Sequence, residues 1–320
     1  MKKVFVAIST IVATLAFPAH AQTFPTKPIK LLVPYSPGGL PDTVARLVAQ
    51  RLTESLGQSV VVENKSGGNG AVAAVALATA PADGHTLIVT DASMLTINQL
   101  TTKKLAYDAK KDFMPVSLIA SAPLFLAVHP KVQAETFDDF IALAKSKPGV
   151  LNYGSSGIGS AHHLTAEAMK AALGISMTHV PFRGSSQSVP ALIGGQVDMV
   201  FSAYPSLAGF VKAGQAKLLA TNSAKRSPLA PNVPAIAERV PGFDFAVIVI
   251  ALAPTGTPPA IVQKLSAEFA KVLKQQALID QFTVAGIEAI GGSPEVLAAA
   301  IQEEATRMAA AAKEAKLQAE

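Results

Sequence analysis

Two stretches of the 320-residue chain pair glycine turns with groups able to hold an anion. The first is VPYSPGGLPDTVAR, residues 33–46. An apolar run, two glycines and a proline-led helical pattern bring backbone N–H groups together at a helix start. The helix dipole adds partial positive charge there. A carboxylate or a phosphate would suit such a turn. The chain has no G-x-x-x-x-G-K-[ST] and no G-x-G-x-x-G at this point, which excludes a P-loop and the dinucleotide fingerprint. Asp42, in the first helical turn, already answers the dipole and would repel a polyanion. What remains is a single carboxylate, a water held by the N–H groups, or a plain strand-to-helix turn.

The second stretch, YGSSGIGSAHH at residues 153–163, has the same grammar. Its glycines allow close backbone approach, its serines supply hydroxyls, and Ser160 is placed to cap the following helix. Two such turns, one in each half of the chain, could face one cleft. A third group is HVPFRG at residues 179–184, where Arg183 follows a strand at a glycine turn and can offer a fork of donors to a carboxylate. A surface arginine or an inter-lobe ion pair fits Arg183 equally well. Asp198, just inside a strand after Gly194-Gly195, fits a structural role better than catalysis.

Catalytic patterns are weaker. Residues 154–158 read GSSGI, which is not G-x-S-x-G. His162 and His163 are adjacent and point about 100° apart on a helix of 3.6 residues per turn, so they cannot readily share a metal. There is no H-E-x-x-H and no cysteine, and we expect neither a metal nor a cofactor. First-turn histidines in capping or packing roles are the simpler reading. An exported hydrolase or isomerase using His162 with a serine stays open as the alternative.

The elements that must position these groups alternate in period. Strands are expected at 29–35, 59–63, 85–90, 116–120, 124–129, 151–153, 177–181, 197–201, 217–221 and 247–253. Helices are expected at 42–56, stopped by Gly57, then 71–80, 136–146, 161–173 and 188–194. Three more close the chain at 259–276, 278–285 and 294–316. Ser293 and Pro294 form an N-cap and N1 pair for the last, alanine-rich helix, which we expect on the outside. The β-turn-α repeat predicts parallel sheets with helices on both faces, arranged as two lobes with a ligand cleft between them.

The N-terminus is not part of that fold. Lys2 and Lys3 precede an apolar run over 4–17 and an Ala19-His20-Ala21 cleavage signal, the pattern of a secretory leader removed after Ala21. No later apolar run is long enough to span a bilayer. Removing Lys2 and Lys3 takes the formal charge from +5 to +3, with basic residues scattered, which argues against a nucleic-acid partner. Without cysteine, an exported chain must be stable through its core alone, and it has no lipidation site. A free periplasmic monomer is the expectation.

Several motifs, in order, carry a resemblance. Phe24-Pro25-Thr26-Lys27-Pro28-Ile29, Val33-Pro34-Tyr35, Pro37-Gly38-Gly39, Asp42 and Ala45-Arg46 resemble the opening of the Bug solute-binding proteins of tripartite tricarboxylate transporters. The likeness continues at Tyr107-Asp108, residues 112–116, Pro148-Gly149, His163-Leu164, Glu167, residues 179–184, 194–198, 231–234 and 253–258. It implies an α/β, two-lobed periplasmic-binding-protein fold (type II-like), each lobe a βα sheet sandwich. The implied lobes are 22–122 plus 248–320, and 123–247, closing on a small organic acid and delivering it to a membrane permease of one large and one small subunit. Carried over, the implied ligand contacts are Tyr35, Pro37, Gly38, Gly39, Leu40, Asp42 and Ser93 on one side. On the other they are Ser155, Ser156, Gly157, Gly159, Ser160, His162, Arg183 and Ser202.

The chain departs from the family at several points. Leu40-Pro41 replaces a small polar pair, Phe182-Arg183 stands where Tyr-Lys is common, and Ser202-Ala203 follows Phe201 where an acidic or polar residue is frequent. The family's tryptophan before residues 253–258 is missing. An apolar rim with Arg183 leans toward an aromatic acid or a longer dicarboxylate. A receptor partner that reads the loaded protein, in place of a permease, is compatible with the same fold.

Overall fold

The computed structural model describes residues 24–35, 37–182 and 184–319. The expected leader and Arg183 lie outside the described residues. The chain opens with β1 (Ile29–Val33), α1 (Leu40–Leu56), β2 (Val60–Asn64), α2 (Ala71–Ala78) and β3 (Thr86–Asp91). Two short helices follow, α3 (Ser93–Thr96) and α4 (Asn98–Thr101), then the long β4 (Phe113–Ala122). The middle of the chain is β5 (Leu124–Val128), α5 (Phe137–Ser146), β6 (Asn152–Ser155), α6 (Ala161–Leu173), β7 (Thr178–Pro181), α7 (Ser185–Ile193), β8 (Met199–Ala203), α8 (Tyr204–Lys212) and β9 (Lys217–Thr221). It returns through β10 (Val247–Pro254), α9 (Pro259–Val272), α10 (Gln276–Val284), β11 (Glu288–Gly292) and α11 (Pro294–Glu314).

The strands form a six-stranded sheet of order β11-β4-β10-β3-β1-β2 and a five-stranded sheet of order β7-β6-β8-β5-β9. Both are mixed, which corrects the all-parallel expectation. β10 runs antiparallel to β3 and β4, and β5 runs antiparallel to β8 and β9. β5 and β10 are each the first strand laid down after the chain crosses from the other sheet. They are buried on both faces, so their continuous apolar runs carry no sign of direction.

Each sheet is covered on both sides. In the first, Val44, Val48 and Leu52 of α1 and Leu265 and Phe269 of α9 cover one face, while Leu77 of α2 and Leu297 of α11 cover the other. In the second, Phe140 of α5 and Leu164 of α6 lie opposite Leu192 of α7 and Leu207 of α8. Each such side chain contributes about 1.5–3 kcal/mol on burial. α1 ends as its sequence demands: Gly57 takes the left-handed conformation (φ 67°) and its N–H closes on the Thr53 carbonyl.

Helix α11 is not on the outside. Ser293 caps it as expected, accepting from the Val296 N–H, but Leu297, Met308, Ala311 and Ala312 are buried. Leu297 joins the core of the first sheet, and Met308, Ala311 and Ala312 join that of the second. Alanine lets the helix pack closely against both, so its composition misleads as a sign of exposure. Asn222 ties the two crossings between the sheets. Its side chain accepts from the Leu124 N–H (2.7 Å) and donates to the Phe245 carbonyl (2.6 Å), and it is fully buried.

Candidate functional site

The first glycine turn follows β1 and opens α1. Pro41 near the helix start fixes φ where no N–H partner is needed. Asp42 is 2% exposed and holds the turn from inside. Its carboxylate accepts from the Gly38 N–H (2.8 Å), Arg46 Nε (3.0 Å) and Asn64 Nδ2 (2.8 Å). Asn64 Nδ2 also donates to the Tyr35 carbonyl (3.0 Å). Burial alone would raise the Asp42 carboxyl, but the donors from Arg46, Gly38 and Asn64 outweigh it and hold it below the ordinary range. The Gly38 N–H, expected to be free for a ligand, is therefore taken by Asp42. Leu40 is half-buried against the first core and Pro41 is buried, while Pro37, Gly38 and Gly39 are exposed.

Tyr35 turns toward the start of α3. Its hydroxyl lies 3.4 Å from Ser93 Oγ, and Ser93 donates from its N–H (3.0 Å) and hydroxyl to Asp91. Burial raises the Asp91 carboxyl, opposed by the Ser93 and Tyr35 hydroxyls. Burial, and next the Asp91 charge, push the Tyr35 phenol well up, so it stays a neutral donor.

The second turn joins β6 to α6. Ser160 caps α6, accepting from the His163 N–H (3.2 Å). Ser155 is fully buried; its hydroxyl donates to the Gly157 carbonyl (3.1 Å), accepts from the Gly157 N–H (3.0 Å) and lies 2.7 Å from His179 Nε2. The Gly159 N–H donates to His163 Nδ1 (3.1 Å). His163 stacks on His179 (4.0 Å between centroids), which stacks on Tyr153 (4.9 Å). Tyr153 donates to Glu167 (2.5 Å), which also pairs with Lys170 (2.6 Å). Burial pushes His179 down to about 4, with the neighbouring His163 adding to it, and burial lowers His163 as well.

On the outer side of that turn, Ser156 Oγ lies 3.2 Å from Ser185 Oγ, which lies 3.4 Å from His162 Nε2. The start of α7 thus meets the start of α6, and two helix N-termini converge on one polar group. Burial pushes His162 down to about 4, so at neutral pH it is an uncharged ring. Ser202, near the end of β8, is fully buried and its hydroxyl has no hydrogen-bond partner among the described residues.

The structure therefore brings Tyr35, Ser93 and the 37–42 turn together on the first sheet, and Ser155, Ser156, Gly157, Gly159, Ser160 and His162 on the second. Ser185 and Asp91 were missed. Ser185 had a signal: strand, glycine, serine, helix is the grammar of the other two turns. Asp91 sits at the carboxyl end of a strand, where open α/β sheets place ligands. Asp198 is structural, accepting from the Asn152 N–H (2.9 Å) and pairing with Lys131 (3.2 Å). Among the described residues there is no cluster able to hold a metal ion and no helix long and apolar enough to cross a membrane.

Comparison with known proteins finds relatives along nearly the whole chain. The tripartite tricarboxylate transporter family receptor pattern matches residues 44–317. The chain is 32% identical over 318 residues to protein BugT of Bordetella pertussis, covering 98% of each. Among solved structures it is similar to R. palustris Rpa4515 with adipate, at 36% identity and TM-score 0.84, covering 93% of this chain and 100% of that one. It is also similar to MatC of Rhodopseudomonas palustris with bound malate, at 32% identity and TM-score 0.77, covering 90% and 99%.

Proposed function

The chain belongs to the receptor family of tripartite tricarboxylate transporters, the Bug or TctC periplasmic solute-binding proteins, and on that premise we propose that it captures a small organic carboxylate by lobe closure and hands it to a membrane permease. The observation that carries this reading is the pair of like-built turns, one on each sheet, each a strand, a glycine turn and a helix start. The first offers the Tyr35 and Ser93 hydroxyls; the second offers Ser156, Ser185 and His162 beneath two helix N-termini. An acid whose carboxylate lies against α6 and α7 would be held by dipoles and hydroxyls, with Arg183 near enough in sequence to add charge. The relatives holding adipate and malate support an aliphatic dicarboxylate.

The lobes we assign are 22–122 plus 248–320, and 123–247, with β4–β5 and β9–β10 as the crossings. Ligand bound to both turns would shift an open–closed equilibrium toward the closed form the permease reads. The mature protein would begin at Gln22, in the periplasm. Turnover is disfavoured by the chemistry of His162: burial makes it a weak base and it meets Ser185 at 3.4 Å, while the carboxylate of Glu167 serves Tyr153 and Lys170. No carboxylate is seen to orient His162 among the described residues, and a base without one is a poor activator of serine.

Isothermal titration with adipate, malate, terephthalate, citrate and aspartate tests the reading. Binding of adipate or terephthalate without product formation is expected. Binding of citrate or aspartate alone would sink the longer-acid assignment, and turnover lost in His162→Ala would overturn the receptor reading.

A further inference from the structure

Gly159 is pressed from the other half of the molecule. A Cβ built on it would lie 2.5 Å from Thr101 Cγ2, far inside the closest non-bonded approach of two carbons, and Gly159 has φ +73°. Thr101 closes α4, the last turn of the stretch that begins at Asp91. That stretch touches both candidate turns. At its start, Asp91 and Ser93 bind Tyr35 of the first turn. At its end, the Thr101 methyl seats on Gly159 of the second.

Its middle is fixed to both cores. Met94 and Leu95 are buried in the core of the first sheet, Ile97 in that of the second, and Leu100 packs beside it. Thr96 Oγ1 meets Glu304 of α11 (3.3 Å) and the Ala92 carbonyl (3.0 Å). Tyr107 donates to the Met94 carbonyl (2.6 Å) and accepts from Asn98 Nδ2 (3.0 Å). A short segment buried in two cores along its middle, residues 94–98, is stiff, and a stiff segment in contact with two loops limits their approach.

We infer that residues 91–101 form a stop that sets how closely the two turns approach when the lobes close, with Thr101 as a positioning residue for the second turn, residues 156–160, through its contact at Gly159. The inference rests on the carboxylate-receptor reading for what the spacing selects. The contact itself does not. Gly38 supplies an internal standard: it too has positive φ (+88°), but nothing lies within 4 Å of its Cβ position. Alanine at Gly38 meets backbone strain alone, and alanine at Gly159 meets strain plus the Thr101 methyl.

The test compares Gly38→Ala, Gly159→Ala, Thr101→Ser and the double variant Gly159→Ala/Thr101→Ser. Thr101→Ser removes the offending methyl and keeps the hydroxyl that donates to the Ile97 carbonyl (3.3 Å). Adipate affinity by calorimetry should fall in Gly159→Ala by about tenfold or more beyond any fall in Gly38→Ala, and the double variant should recover most of that excess. Equal losses in the two alanine variants, or no recovery in the double variant, would overturn the inference. Amide hydrogen exchange on the ligand-free protein reads the stop separately. Thr101→Ser should speed exchange at Gly159, whose N–H is held by His163, and leave Gly38 unchanged. If the parent protein binds adipate and no other acid of the panel, the exchange result still decides on the stop. If it binds none, the receptor reading fails while an unaltered Gly159 rate would separately reject the stop.

Discussion

The two turns share a backbone plan and differ in what holds them. The first is organised by a charge: Asp42, buried, draws in Gly38, Arg46 and Asn64. The second is organised by neutral rings and hydroxyls: Ser155 on His179, and His163 under Gly159. The first stands clear of its neighbours at Gly38, whereas the second is in contact with Thr101 at Gly159. Opposite chemistries can therefore build the same loop, and they respond differently to acid, to substitution and to pressure from the rest of the fold.

The largest effect expected is at a third carboxyl, between the turns. Glu304 is 5% exposed and has Thr96 as its one hydrogen-bond partner, with Oε2 unpartnered among the described residues. Burial, then the Asp91 charge, push it up to about 8 against an ordinary 4.5, with Arg307 opposing and Asp244 adding a smaller rise. The folded state thus holds the proton more tightly than the unfolded chain, so stability falls as pH rises from about 4.5 through about 8. Each tenfold in proton affinity is worth about 1.4 kcal/mol, so Glu304→Gln should gain several kcal/mol at pH 9 and little at pH 5. Melting curves of both proteins across that range measure it; a parallel pair of curves would show that the site is hydrated.

Next in size is Asp42→Ala, which leaves the Gly38 N–H without its acceptor and Asn64 Nδ2 with the Tyr35 carbonyl alone. A loss of about 2–4 kcal/mol in urea unfolding is expected, with weaker binding of any acid that contacts the turn. Ser155→Ala, the matching change in the second turn, removes bonds between uncharged groups and should cost about 1 kcal/mol. Equal costs would erase the contrast between charged and neutral construction.

Acid sharpens the same contrast. Asp42 is held low, so its contribution is present above the ordinary carboxylate range and persists to lower pH than that of an unassisted aspartate. His162 and His179 are held down to about 4 against an ordinary 6.5, so the neutral folded form loses stability as pH falls from about 6.5 through about 4. Amide protection factors should therefore drop in the second turn near pH 5 while the first is still protected. The smallest effect is at Leu40→Ser, about 1 kcal/mol or less for a half-buried side chain. Its measurable consequence is a change in the preference between adipate and malate.

Much of the fold was legible because its helices carry strong periodic faces and end signals. Gly57 and Ser293 stop and start helices where their chemistry requires. What escaped had weak local signals. β11 reads EAIGG, whose glycines suggest a turn, and only its pairing with β4 makes it a strand. α3 and α4 are four residues each, too short for periodicity, and α8 carries Pro205 and Gly209. The two turns were found from their glycines and serines. The partners that shape them, Asn64, His179 and Thr101, lie 22, 24 and 58 residues from the groups they touch, beyond the reach of local pattern.

The strand order has a consequence for how the protein is made. β10, residues 247–254, lies between β3 and β4, so the larger sheet cannot close until four-fifths of the chain exists. α11, which joins both cores, arrives after every other described element. A ribosome delivering the chain N-terminus first leaves β1 to β4 with exposed edges throughout elongation, and long-range pairings of this kind form slowly. Late closure keeps the nascent polypeptide threadable, which is the state a narrow export pore requires, and it exposes the unfinished sheet to chaperones until its centre strand is supplied.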